Sequence, residues 1–367
     1  MNSDARLVAA LHRAVGLEND GDFFGAEQLY RQLTSRPRRV AHADYQYAQF
    51  LLRRGDYAEA WPHYMKRLDD LEYASRATYQ LKQPYMTSAA PEAVSGKTIL
   101  VYCDQGIGDA IMCARYVPEL AVRAGRVVVV VFEGFRDFFS CLGDIENVRV
   151  LEFGDSLPSF DMHADMLSLP AVFDTRIQDI PPSAWLKADP DWCAYWRKLL
   201  PKNDLRIGLT WQGNPSQTRD PERSAKLADF WPLLETGHTF VNLQAGHGVD
   251  QLDDPNVPCE IVRFPEITAS INGSTKRMVD CAALIACLDL VITVDTAIAH
   301  VAGALGKPVW MLTAKVPYWV YMQEGDRTPW YSTMRLFRTQ QRYDWRGPVS
   351  EMKALLSRED PLRAALT

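Results

Sequence analysis

Three stretches of this 367-residue chain place chemically capable side chains directly after runs that read as buried strands. The first, "DQGIGDAIMCARY" (104–116), follows "TILVYC". Gly106 and Gly108 permit a tight turn with close backbone approach, Gln105 stands beside them, and Asp109 falls in the first turn of the next helix. A carboxylate there can take a proton from a hydroxyl. It can equally be a helix-start acid, favoured by about 0.3–1 kcal/mol through the dipole. The pattern lacks the third glycine of a dinucleotide fingerprint, so both readings stand.

The second stretch is "LDLVITVDTAIAHVAGALGKPVWMLT" (288–313). An apolar strand ends at Asp295-Thr296 and hands over to a small-residue helix closed near Gly306. Backbone N–H groups at Thr296 and Ala297, with the Thr296 hydroxyl, would form an anion site suited to nucleotide phosphates. His300 lies one turn further along the same face. The alternative makes Asp295 and Thr296 simple caps and His300 a hydrogen-bonded core residue. The third stretch is "WQGNPSQTRDPERSAKLADFWPLL" (211–234). Gln212, Gly213 and Asn214 form a polar turn, and Arg219, Arg223 and Lys226 follow as cations able to neutralise a diphosphate, or merely as a solvated loop.

Other chemistries are missing. The sequence has no Gly-x-Ser-x-Gly elbow, no Walker loop and no His-Glu-x-x-His. "DPD" (189–191) has metal-site spacing but stands immediately before a helix, where capping accounts for it. No catalytic metal and no cofactor are expected.

Two α/β series must position these loops. "TILVYC", "RVVVVVF" (126–132) and "NVRVLEF" (147–153) form the first, over 96–202. "RIGLTW", "TFVNLQ", "CEIVRF", "DLVITV" and "PVWML" form the second, over 203–330. Strands alternating with helices predict parallel sheets covered on both faces, hence two Rossmann-like domains facing a cleft. "TSAAPEAVSGK" (87–97) reads as a linker, and the segment 331–367 is expected to pack back on the first domain.

Residues 1–90 carry a repeat. "GDFFGAEQLYRQL" from Gly21 and "GDYAEAWPHYMKRL" from Gly55 share Gly, Asp, aromatic, Ala and Tyr positions at an offset of 34 (55 − 21). That is the tetratricopeptide period, so an all-α segment of helical hairpins is expected, docked on the body of the protein.

Composition bounds the rest. A net charge of −6 and the absence of a basic stripe argue against a nucleic-acid partner; "RPRRV" (36–40), the densest cluster, reads as a solvated loop. No run approaches the ~18 apolar residues of a membrane span. The charge-broken N-terminus does not resemble a signal peptide. Seven scattered cysteines without Cys-x-x-Cys point to a reducing cytoplasm.

The motifs "DQGIGDAIMCARY", "MLSLP" (166–170), "WQGNP", "ERSAKLADFWPLL", "ALIACLDLVITVDTAIAHVAGALGKPVW" and "PWYSTMRLFR" resemble the bacterial tetratricopeptide-fused members of glycosyltransferase family nine. These are related to ADP-heptose lipopolysaccharide heptosyltransferases. The resemblance runs in matching order from about 96 to 345. It implies a GT-B fold and an inverting, metal-independent transfer from a nucleoside-diphosphate sugar. By position it implies Asp109 as general base, Asp295, Thr296 and His300 as the donor-site motif, and Lys226 with Arg223 near the diphosphate. The acceptor would be a hydroxyl or polypeptide, with a protein or glycan held by the repeats. Two places depart from the family: Ala297 replaces a frequent Gly, and "VPYWVYM" (316–322) replaces an arginine-containing stretch. The second departure motivates an alternative, an inactive GT-B scaffold binding partners through its repeats. A nucleotide-sugar epimerase is the further alternative.

Overall fold

The computed structural model describes residues 3–35, 42–69, 81–202, 205–268 and 276–358; the basic cluster at 36–40 lies outside them. Four helices come first: α1 (Ser3–Asp20), α2 (Phe23–Thr34), α3 (Ala43–Arg54) and α4 (Tyr57–Met65). Gly21 and Gly55 take φ of +95° and +88°, the left-handed turn that glycine adopts without a Cβ clash. Asp22 then caps α2 by accepting from the Gly25 amide at 2.9 Å. Ala26 and Ala60, like Tyr30 and Tyr64, are fully buried, so the 34-residue offset corresponds to two hairpins of like internal layout.

The first sheet contains β1 (Thr98–Tyr102), β2 (Arg126–Val131), β3 (Val148–Glu152) and β4 (Met162–Asp165), all parallel, in the order β3-β2-β1-β4. The valine run of β2 is buried on both faces, as a central parallel strand requires. The second sheet contains β5 (Arg206–Leu209), β6 (Thr239–Asn242), β7 (Leu290–Thr293), β8 (Val309–Thr313), β9 (Arg327–Thr328) and β10 (Tyr331–Arg338), in the order β6-β5-β7-β8-β10-β9. Only β9 runs antiparallel.

Four expectations need correction. "CEIVRF" is not a strand: it makes a single bridge, Val262 to Val241. The boundary at 330 fails because β10 pairs with β8 and completes the second sheet. The final helix, Arg346–Leu356, does not return to the first domain. Its Val349, Met352, Leu355 and Leu356 share a core with Phe230, Leu233 and Leu234 of the second. Nor is 87–97 a free linker, since Ala89 and Val94 are fully buried and the Ala89 amide donates to Val172 O at 3.0 Å.

The hairpins are part of the body. Trp61 Nε1 donates to Thr175 O at 2.7 Å, and Trp330 Nε1 donates to the Tyr57 hydroxyl at 2.7 Å. The Trp319 ring meets Tyr57, Trp61, Tyr64 and Trp330 edge-on. Arg67, itself buried, donates to Asp165 Oδ1 at 2.7 Å, fastening the helical segment to the end of β4. No described helix is long and apolar enough to cross a membrane.

Candidate functional site

β1 and β7 each end in a polar turn and then a helix: α5 (Ile107–Cys113) after β1 and α6 (Ala297–Ala304) after β7. These two helices pack on each other, so the loops singled out in sequence meet at one seam between the lobes. Gly108 sits under the His300 ring. A Cβ built at Gly108 would lie 2.8 Å from His300 Cδ2, closer than carbon atoms approach. Glycine is required there by close approach, not by φ.

Asp109 is the third residue of α5 and is half-buried at the seam. The Tyr318 hydroxyl donates to its Oδ1 at 3.0 Å. Burial, with the nearby Asp295 adding to it, pushes the carboxyl up to about 6 against the Tyr318 hydrogen bond, the Gly106 amide and Arg223. Asp109 therefore does make a helix-start contact, with Gly106, but it also carries the perturbation expected of a proton acceptor working near neutrality.

Thr296 is the N-cap of α6, yet its side chain makes no capping hydrogen bond; its Oγ1 lies 3.3 Å from Thr293 Oγ1. The first N–H groups of any helix lack intrahelical acceptors, and Thr296, Ala297 and Ile298 are half-exposed. Arg223 Nη1 donates to Asp295 O at 2.9 Å, bringing one cation of the third loop to this helix start. Burial raises the Asp295 carboxyl, with Arg223, the Tyr321 hydrogen bond and Arg219 pulling against it.

The resemblance makes His300 part of the donor-site motif, and the structure sets its ring inside the protein. It is buried, with Nδ1 2.7 Å from the Tyr331 hydroxyl and Nε2 3.3 Å from the Tyr321 hydroxyl. Tyr321 also donates to Asp295 Oδ1 at 3.2 Å. A tyrosine has one hydroxyl proton, so Tyr321 must accept from His300 Nε2–H, and Nδ1 must accept from Tyr331. Burial first, then Arg115 and Arg223, depress the imidazole to about 3, which keeps it neutral. The chain Tyr331, His300, Tyr321, Asp295 thus orients the carboxylate; the ring has no nitrogen left for a ligand.

The remaining loop residues are dispersed. Gln212 is tied into a local network: its amide donates to Gln244 Oε1 at 3.0 Å, and its Oε1 accepts from Gln251 at 3.2 Å. Asn214 is exposed and closes a turn by accepting from the Ser216 amide at 3.0 Å. Lys226 is exposed and makes no ion pair among the described residues, while Gln105 is half-buried beside Gly106. Asp189 caps its helix, accepting from the Asp191 and Trp192 amides at 2.8 and 3.1 Å, and so takes the bland reading of "DPD".

Sequence reasoning missed Tyr318 and Tyr321. Both stand on the divergent "VPYWVYM" loop, three residues apart on one short turn, and each hydroxyl reaches one carboxylate. The signal was available as two tyrosines in a loop after a sheet strand, but their depth cannot be read from a pattern. Met322 closes the turn at φ +56° and ψ 163°, a region disfavoured for any side chain with a Cβ.

Comparison with known proteins reaches the Asp295 side of this seam. The family described as Glycosyltransferase family 9 (heptosyltransferase) matches residues 266–313, the stretch that holds β7, Asp295 to His300 and β8. The chain is 27% identical over 358 positions to Protein FlbA of Caulobacter vibrioides, covering 87% of this chain and 56% of that protein. It therefore spans little more than half the length of that relative. Among solved structures, the E. coli ADP-heptose lps heptosyltransferase II is 15% identical, covering 73% of this chain and 98% of that one, with a TM-score of 0.47. A glycosyl transferase family 9 structure from Veillonella parvula is 11% identical, covering 74% and 98%, with a TM-score of 0.49. Within the second sheet, residues 266–313 are thus similar to glycosyltransferase family 9.

Proposed function

We propose that the chain is a glycosyltransferase of GT-B type that moves a sugar from a nucleoside diphosphate to a hydroxyl, with inversion and without a metal. One observation carries the reading: a carboxylate tuned to about 6 and a helix start with free amides meet at a single seam between two parallel-sheet lobes. Asp109 takes the proton from the acceptor hydroxyl as its oxygen attacks the anomeric carbon. The bond from that carbon to the diphosphate breaks, and the nucleoside diphosphate leaves with the electron pair. Amides of Thr296 and Ala297 meet the developing charge, with Arg223 beside them. His300 acts through Tyr321 on Asp295 rather than on the phosphate. The two hairpins, tetratricopeptide-like by their 34-residue offset, would hold the acceptor polypeptide or glycan.

A nucleoside diphosphate should raise the melting temperature in the presence of EDTA, because a ligand of the folded state alone stabilises by about 2.7 kcal/mol at a hundredfold excess over its dissociation constant. Asp109→Asn should keep that stabilisation and lose transfer. No shift with ADP, GDP, UDP or dTDP at millimolar concentration would defeat the reading.

A further inference from the structure

We infer that Tyr318 is the positioning residue for the Asp109 carboxylate, and that the N-terminal hairpins hold Tyr318 in place. The inference rests on the transferase reading for its purpose, and on contacts alone for its geometry. The Tyr318 hydroxyl lies 3.0 Å from Asp109 Oδ1 and donates to it, since an ionised carboxylate can only accept. That bond fixes one oxygen and leaves the carboxylate in a single orientation toward the seam.

The loop carrying Tyr318 is tied on its outer side to the helical segment. Lys315 Nζ donates to Asp20 O at 3.4 Å, Gln323 N donates to Arg53 O at 2.8 Å, and the Tyr57 hydroxyl approaches Met322 Sδ at 3.9 Å. Trp319, next to Tyr318, is fully buried among Tyr57, Trp61 and Tyr64. A further tie comes from the second lobe, where Arg219 Nη2 donates to Val316 O at 2.6 Å. The hairpins, the first lobe and the second lobe therefore all converge on one phenol.

The other titratable groups facing Asp109 are Asp295 from the end of β7, Arg223 from the third loop, Tyr45 from α3, Cys113 from α5 and Tyr331 from β10. Of these neighbours, Tyr318 alone has a side-chain hydrogen bond to the carboxylate among the described residues. Removing its hydroxyl takes away a group that favours the ionised form, so the carboxyl must become harder to ionise.

The test follows aspartate carboxyl carbons by NMR in full-length protein labelled with carboxyl-13C aspartate, using Asp109→Asn to assign the Asp109 resonance. In Tyr318→Phe, the Asp109 midpoint should rise by about half a pH unit or more above its wild-type value. In wild type, with 13Cζ-labelled tyrosine, one ring resonance should titrate with the Asp109 midpoint and lose that titration in Asp109→Asn. This second readout stands whether or not Tyr318→Phe folds. An unchanged midpoint in Tyr318→Phe, or no tyrosine resonance following Asp109, overturns the assignment. Neither measurement needs a sugar donor. Failure of nucleoside diphosphates to stabilise the wild type would therefore sink the transferase reading separately. With transfer measurable, the acid limb of the kcat/KM profile should move up by the same interval, a change that a merely structural tyrosine would not cause.

Discussion

Gly108→Ala tests the seam most directly. The added methyl would sit 2.8 Å from His300 Cδ2 and 3.3 Å from Nε2. That ring cannot swing aside cheaply, because both nitrogens are held, by Tyr331 at 2.7 Å and Tyr321 at 3.3 Å. Overpacking of this kind costs about 1–3 kcal/mol. Against it stands the helix preference of alanine over glycine, at most about 1 kcal/mol and smaller in a first turn. The net expectation is a destabilisation of about 1 kcal/mol, seen as a lower urea midpoint with an unchanged slope. The same substitution made on a His300→Ala background removes the clash and leaves only the helix term, so it becomes neutral or stabilising. The coupling between the two sites should then be about 1–3 kcal/mol. Additive costs, or stabilisation by Gly108→Ala alone, would refute the claim that the helices of the two lobes are in contact through this pair.

Acid sensitivity should track His300. Its folded value near 3 lies below the ordinary 6.5, so its contribution is complete above 6.5 and is lost as pH falls from there toward 3. The melting-temperature drop between pH 7.5 and pH 5 should shrink in His300→Gln, and an unchanged drop would count against a neutral buried ring. Asp109 works in the opposite sense. Its folded value is raised from 3.8 to about 6, so the stability cost of the ionised group builds as pH rises from about 3.8 and is complete above 6. Asp109→Asn should therefore melt higher than wild type at pH 8 and gain less at pH 5, measured by calorimetry. A gain independent of pH would mean that the carboxyl is not the source.

The parallel sheets and the two loops at strand ends were legible because apolar runs such as "RVVVVV" and "LVIT" admit one placement, buried between helices. Asp109 and Asp295 followed from that placement, since such sheets present their carboxyl-end loops to ligands. β4 escaped because "MHAD" has neither an apolar run nor clean alternation; its polar ends are spent on contacts that no local pattern announces, His163 against Tyr85 and Asp165 on Arg67. "CEIVRF" misled for the converse reason. It has the alternation of a strand but sits beyond β6, where one bridge is all the edge provides. Helical spacing puts His300 one turn beyond Thr296 but says nothing of the depth of its ring. Its burial depends on Gly108, almost two hundred residues away in sequence, and no periodicity reports such a partner.

The divergent loop then explains why the helical segment is needed at all. Met322 holds a backbone conformation that costs on the order of 1–3 kcal/mol for a residue with a Cβ, and such strain persists only where surrounding contacts over-determine it. Those contacts come from the second sheet, where Arg338 Nη2 donates to Tyr321 O and Thr328 Oγ1 to Val320 O, and from the hairpins: the Arg53 carbonyl on Gln323, the Tyr57 hydroxyl on Met322, and the aromatic rings around Trp319. Without the hairpins, Trp319 would face water on several sides, and the turn could relax toward an unstrained φ. Relaxation would withdraw both Tyr318 and Tyr321, because the two hydroxyls stand on the same three-residue turn. The carboxylates of both lobes would then lose their fixed donors together. The helical segment is thus a wall of the seam that holds Asp109 and Asp295.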